Sequence, residues 1–273
     1  MKKLFMYFAL ALTVLAMPGI SQAANIYGWT LDLSDYSGNT FSDIAELSVY
    51  GYGDIDQSYG GDGVLSSGDT FTVSSMLYNV AYTDINGVYY NNPDWGGGLE
   101  LFFASDNLSG IVTNVDPVTG NFDYEYQSGD ITLYFGNSND IANATALATM
   151  SLSWGLGDST SENNGGQALS GETDMGIQFI TSVLANGLIW FDVNDYPELA
   201  ALYPNLSTFL TFDLNNNLNT NIVPLTLTQD GFTARVTTGG DITLVATPEP
   251  STFLILGFGL LGLVGFRKKF KKA

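Results

Sequence analysis

The chain is expected to fold as one mainly β domain, a β-sandwich or jelly roll with one or two short helices. A signal peptide and a C-terminal transmembrane helix flank it. Three observations point there. Short runs rich in Val, Ile, Thr, Tyr and Phe recur along residues 45–246, separated by Gly-, Asn-, Asp- and Ser-rich breaks. Apolar segments with basic flanks occupy both ends. Cys and His are absent altogether, so no disulfide braces the exported part and a hydrophobic core must hold it. About 225 residues are enough for one such core.

The elements follow in order. Met1-Lys2-Lys3 is a positive start, Leu4 to Met17 is apolar, and Pro18-Gly19 breaks the run. Ser21 and Ala23 are small residues at the −3 and −1 positions, so residues 1–23 read as a signal peptide cleaved after Ala23. Residues 45–50, 69–78, 99–103, 121–127, 131–135 and 146–154 read as strands. So do 188–193, 208–214, 225–228, 232–237 and 242–246. Breaks are expected at Asn91–Asp94 and Asp158–Gly166. Pro197–Tyr203 reads as a short helix, with Pro at its first position and Pro204 stopping it. Periodicity leaves 178–184 open between a helical turn and a strand. Gly-Asp-Ile-Thr-Leu occurs at 129–133 and at 240–244, each time as a turn feeding a strand. No shift in composition divides 24–246, which reads as one domain, with 247–251 as an extended linker.

Past the linker, Thr252–Phe266 is uncharged and apolar, and 267–273 carries five Lys and Arg. The run of 15 residues is shorter than the roughly 17–25 that usually span a bilayer, a gap that snorkelling basic stems can narrow. Basic residues after the segment place the C-terminus in the cytoplasm and residues 24–250 outside it.

Charge excludes several function classes. All 28 Asp and Glu lie between Asp32 and Glu249, whereas Arg235 is the only base between residues 24 and 250. One base against 28 acids gives the exported part a formal charge of −27. Such a surface repels nucleic acid, anionic lipid and phosphorylated substrates, and attracts divalent cations. Without His or Cys there is no Ser-His-Asp or Cys-His catalysis and no zinc site of the usual kind. Only carboxylate chemistry, such as a glycosidase pair, stays open by residue type. The expectation is a protein that is not an enzyme.

The best site candidate is the acidic loop at 53–71. Calcium takes several oxygen ligands from a loop that Gly lets turn sharply, and calcium is the one cofactor the sequence suggests. Asp62, Gly63 and Asp69 match positions five, six and twelve of an EF-hand-like loop, with Asp54 and Asp56 as further ligands four residues early. The competing reading is a hairpin connection whose Asp and Gly serve turn geometry. Acids at Asp192, Asp195 and Asp213 lack ligand spacing, and the sequons at Asn107, Asn143 and Asn205 are short enough to arise by chance. Trp95, set before three glycines, is expected to be exposed, and Tyr124 and Tyr126 to share one face of a strand. These three are candidate carbohydrate contacts, with Tyr89, Tyr90 and Trp29 near them; core filling is the alternative.

Pro248-Glu249-Pro250, the apolar segment and the basic end occur in that order at the extreme C-terminus. This tail resembles the PEP-CTERM sorting signal of bacteria that make exopolysaccharide. The resemblance implies recognition and processing by a membrane exosortase, and delivery to the surface or extracellular matrix of a Gram-negative bacterium. The stretch Gly61–Phe71, with Tyr-rich strands downstream, resembles the flocculation-associated PEP-CTERM proteins. That implies a non-enzymatic structural or adhesive role with exopolysaccharide, in flocs or biofilm. A lectin-like carbohydrate-binding module and a carboxylate-dependent glycan hydrolase are the alternatives.

Overall fold

The computed structural model describes residues 23–162, 168–180, 186–196, 206–218 and 226–248. In chain order the strands are β1 (Ala24–Ile26), β2 (Trp29–Leu33), β3 (Asn39–Ser58), β4 (Thr70–Asp84), β5 (Tyr89–Asn91), β6 (Glu100–Val115) and β7 (Phe122–Ser128). They continue as β8 (Asp130–Gly136), β9 (Thr145–Glu162), β10 (Ala168–Phe179), β11 (Ile189–Trp190), β12 (Leu206–Leu218), β13 (Thr226–Leu227) and β14 (Gly231–Pro248). All join one antiparallel sheet. Short 3-10 turns occupy Ser138–Asn143 and Val193–Asp195.

The mainly β expectation holds, and the two layers of a sandwich are supplied by one sheet that curls back on itself. Around the ring run β3, β4, β6, then β7 and β8 sharing one place, β9, β10, β12 and β14. Pairing of Gly231–Ile242 in β14 with Ser58–Leu47 in β3 closes the ring. Past that zipper the two strands part. The end of β14 takes β1 as its neighbour, and the start of β3 takes β2, which in turn carries β11. This splayed end is sandwich-like and plugged by Ile26, Trp29, Leu31, Ile189 and Phe191. Tyr196 ties it together: its hydroxyl accepts from Tyr27 N at 2.6 Å and donates to Tyr27 O at 3.0 Å. From β1 to β14 the pairing is complete within residues 24–248, so the barrel closes without either end segment.

Alternation explains the strands. In β4 the pattern from Thr70 to Val73 is exposed, buried, exposed, buried, with Phe71 and Val73 turned inward. The middle of the barrel is filled by Val49, Leu77, Phe103, Leu133, Met150 and Phe212, with Phe103 and Phe212 edge to face at 5.4 Å. Two strands expected separately, 232–237 and 242–246, are one continuous β14. Glycine allows it. A Cβ on Gly240 would lie 1.9 Å from Asp213 O, so only glycine lets β14 and β12 approach so closely there. The break expected from Asp158 does not occur at that residue, since β9 runs on to Glu162. Residues 188–193 give only the short β11 and then a 3-10 turn. The helix expected at Pro197–Tyr203, the signal peptide and the apolar segment 252–266 lie outside the described residues. Among the described residues no helix is long and apolar enough to cross a membrane.

Candidate functional site

The acidic loop is the hairpin connection between β3 and β4, and its carboxylates point to different partners. Asp54 lies within β3, directly opposite Arg235 of β14. The two form a bidentate pair, Nε to Oδ1 and Nη2 to Oδ2, both at 2.5 Å. The guanidinium also sits 4.4 Å above the Tyr52 ring. Asp56, two residues on, is exposed on the same outer face. Asp62 serves the loop itself: Oδ1 accepts from Val64 N and Oδ2 from Ser66 Oγ, each at 3.0 Å. Those bonds hold its carboxyl below the ordinary carboxylate range. Asp69 is buried and accepts from Ser66 N at 2.7 Å. Gly60, Gly61, Gly63 and Gly68 all have positive φ, which the turn requires. The four acids proposed as ligands are therefore not drawn together. Among the described residues no three acidic side chains converge to hold a metal ion.

Trp95 corrects the expectation of an exposed ring. It is 3 % exposed and belongs to the core. Positive φ at Gly96, Gly97 and Gly98 lets the loop double back, which turns the indole inward instead of leaving it outside. It packs 4.6 Å from Phe41 and 6.1 Å from Tyr82, and Nε1 donates to Asn79 O at 3.3 Å. Trp29 is likewise buried, and Tyr90 stacks on Tyr82 at 4.6 Å.

Tyr124 and Tyr126 do share one face of β7, and it is the inner one. With Phe71 they make a triangle of edge-on rings, 5.3 to 5.7 Å between centroids. Glycines on the neighbouring strands make room. A Cβ on Gly157 would lie 2.3 Å from the Tyr124 ring, and one on Gly110 equally close to Phe71. The Tyr124 hydroxyl is fixed by Thr173 Oγ1 at 2.6 Å. These rings, with Ile55, Leu108 and Phe232, line a cavity of about 80 Å³ inside the barrel, at the end where the 59–69 hairpin stands. The glycines that shape it were legible only as Gly-Leu-Gly at 155–157, small residues on alternate, same-side positions of one strand.

One arrangement on the outer wall escaped sequence reasoning. Asp174 of β10 stands opposite Asp213 of β12, and Asp213 opposite Asp241 of β14. All three are exposed, in a row across strands about 4.8 Å apart. Glu46 of β3 extends the row. Partial burial raises its pKa, and the charges of Asp241 and Asp213 raise it further. Cross-strand register carries no local signal, so spacing along the chain does not reveal this row.

Pro248 is the last residue of β14, while Glu249 and Pro250 lie outside the described residues. A comparison with curated proteins gives no match. Residues 246–269 match the family model of the PEP-CTERM protein-sorting motif, so this chain carries at its C-terminus the sorting tail of an exported exosortase substrate.

Proposed function

We propose that the exported barrel is a non-enzymatic surface or matrix protein of a Gram-negative bacterium. It helps cells and anionic exopolysaccharide cohere into flocs or biofilm, with calcium as the bridging ion. The observation that supports this best is the row of exposed Asp174, Asp213 and Asp241, extended by the partly buried Glu46. Crowded carboxylates on neighbouring strands gain from a divalent cation placed between them and a second polyanion. Because they do not form a chelate among the described residues, the ion is shared with the polymer's own acids. The one base between residues 24 and 250 is already held by Asp54, which leaves direct pairing with an anionic polymer little to work with.

The test is a pull-down of residues 24–248 on the producer's own exopolysaccharide, in calcium and in chelator. Capture only with calcium, weakened in the Asp174→Asn, Asp213→Asn, Asp241→Asn triple variant, is the expected result. No capture in either buffer overturns the proposal.

A second reading, a lectin-like module, has one observation of its own. Trp154 is 46 % exposed on the outer wall. It lies over Gly176, where a Cβ would come 2.1 Å from its Nε1. Capture that survives chelator, yields to neutral sugar and disappears in Trp154→Ala would favour that reading.

A further inference from the structure

The barrel is packed at one end and hollow at the other. At the splayed end large side chains meet across the sheet and fill it. At the hairpin end the small residues Gly53, Ser75 and Gly171 are on the lining of the cavity, beside the Tyr124 and Tyr126 rings for which Gly157 and Gly155 make room. Packed interiors leave few voids larger than one water, and eight-position barrels are wide enough either to be filled or to hold one small molecule.

The walls specify what fits. They are apolar, with Ile55, Phe71, Val73, Leu108, Met175 and Val236 among them. Among the described residues Asp158 is the only charged one on the lining; it is exposed and its Oδ1 already accepts from Glu172 N at 3.3 Å. A charged guest would lose its hydration there without gaining a counter-charge.

Tyr126 supplies a directed contact. Its ring is surrounded by protein, yet it keeps accessible surface, which it presents to the cavity it lines. Burial pushes its pKa far upward, so the hydroxyl keeps its proton. Tyr124 next to it is tied to Thr173, whereas no described residue hydrogen-bonds the Tyr126 hydroxyl. A buried tyrosine hydroxyl ordinarily has a partner.

We propose that this cavity is a binding site for one small, uncharged, mainly apolar molecule carrying a hydrogen-bonding oxygen, which pairs with the Tyr126 hydroxyl. The site is independent of the polymer-binding role, because it faces inward and the carboxylate row faces outward.

The test uses residues 24–248 and three probes of similar size: toluene, benzyl alcohol and benzoate. Toluene and benzyl alcohol should raise the melting temperature by about 3–6 °C at ten times Kd, and benzoate should not. Cross-relaxation in NMR should connect the bound probe to ring protons of Tyr126 and Phe71. Tyr126→Phe should weaken benzyl alcohol about fivefold and leave toluene unchanged. Val236→Phe, which fills the cavity, should abolish both responses; if that variant does not fold, Tyr126→Phe decides alone. Absence of any shift with toluene and benzyl alcohol up to their solubility overturns the proposal. So does an equal response to benzoate, or benzyl alcohol binding that ignores Tyr126→Phe.

Discussion

Removing the Trp95 indole should cost the barrel a large share of its stability. The ring is 3 % exposed, lies against Phe41 and Tyr82, and donates one hydrogen bond to Asn79 O. Truncating a buried Trp or Phe to Ala costs about 3–5 kcal/mol, through lost transfer energy and the cavity left behind. For a domain of this size each kcal/mol moves the melting temperature by about 2–4 °C, so Trp95→Ala should melt about 6–20 °C lower. Trp95→Phe keeps most of the packing and loses the hydrogen bond, and should fall in between. Trp154→Ala is the control: its ring is 46 % exposed, so the loss should stay below about 1 kcal/mol. Urea unfolding followed by far-ultraviolet circular dichroism measures all three. If Trp95→Ala unfolds within about 0.5 kcal/mol of the parent, the loop does not fold back as described, and an exposed indole is again available to a glycan.

Three further outcomes follow from the geometry. Arg235→Met removes a half-exposed bidentate pair with Asp54 and the contact with Tyr52; it should cost about 1 kcal/mol at low salt and less at 1 M salt, and equal losses at both would refute the electrostatic account. Gly110→Ala would set a Cβ 2.4 Å from Glu125 O and 2.3 Å from the Phe71 ring; overpacking of about 1–3 kcal/mol is expected in chemical denaturation, and an unchanged midpoint would mean the strands are not so close. Glu46 has its pKa raised in the folded state. Its contribution to stability is therefore present below the unfolded carboxyl pKa and lost as pH rises through the folded one. Glu46→Gln should stabilise the protein near neutrality and make no difference in acid, as melting curves against pH would show.

How much of this was legible depends on range. Strand-rich composition and the breaks between runs gave the mainly β class, because alternation and turn chemistry are local. Closure was not legible. It joins residues 231–242 to 47–58, and nothing in either segment names the other. Pairing of Asp54 with Arg235 had a weak signal, since a lone base among so many acids was bound to find one. The acidic loop reads as a candidate calcium loop or as a hairpin connection, and in the structure it is the hairpin, with Asp54, Asp62 and Asp69 paired to Arg235, Val64 and Ser66 and Asp56 exposed. Three glycines after Trp95 suggest an exposed ring in the sequence, whereas their positive φ folds the loop inward and buries it. Alternation places Tyr124 and Tyr126 together, and the acids Asp123 and Glu125 on the other face of β7 are the signal that the rings point inward.

The placement of the two ends leads to a last prediction. Ala24 pairs with Ala246, so the expected cleavage point and the sorting tail emerge side by side at the splayed end. β14 then runs from Pro248 back to Gly231, where the hairpin and the cavity lie. At about 3.3 Å per residue that is on the order of 50 Å of strand. β14 is described up to Pro248, so the first residues of the matched motif, 246–248, belong to the barrel's last strand. If the tail is held in a membrane, as its apolar run leads one to expect, the splayed end should face the bilayer and the cavity should open away from it. The protein has no Cys, so single cysteines report position without interference. A fluorophore on Tyr27→Cys, exposed at the splayed end, should be quenched by spin-labelled lipid head groups in reconstituted vesicles. One on Val64→Cys, exposed in the hairpin, should not. Equal quenching at both would mean that the barrel lies along the membrane, and that its cavity opens beside the bilayer instead of into the matrix.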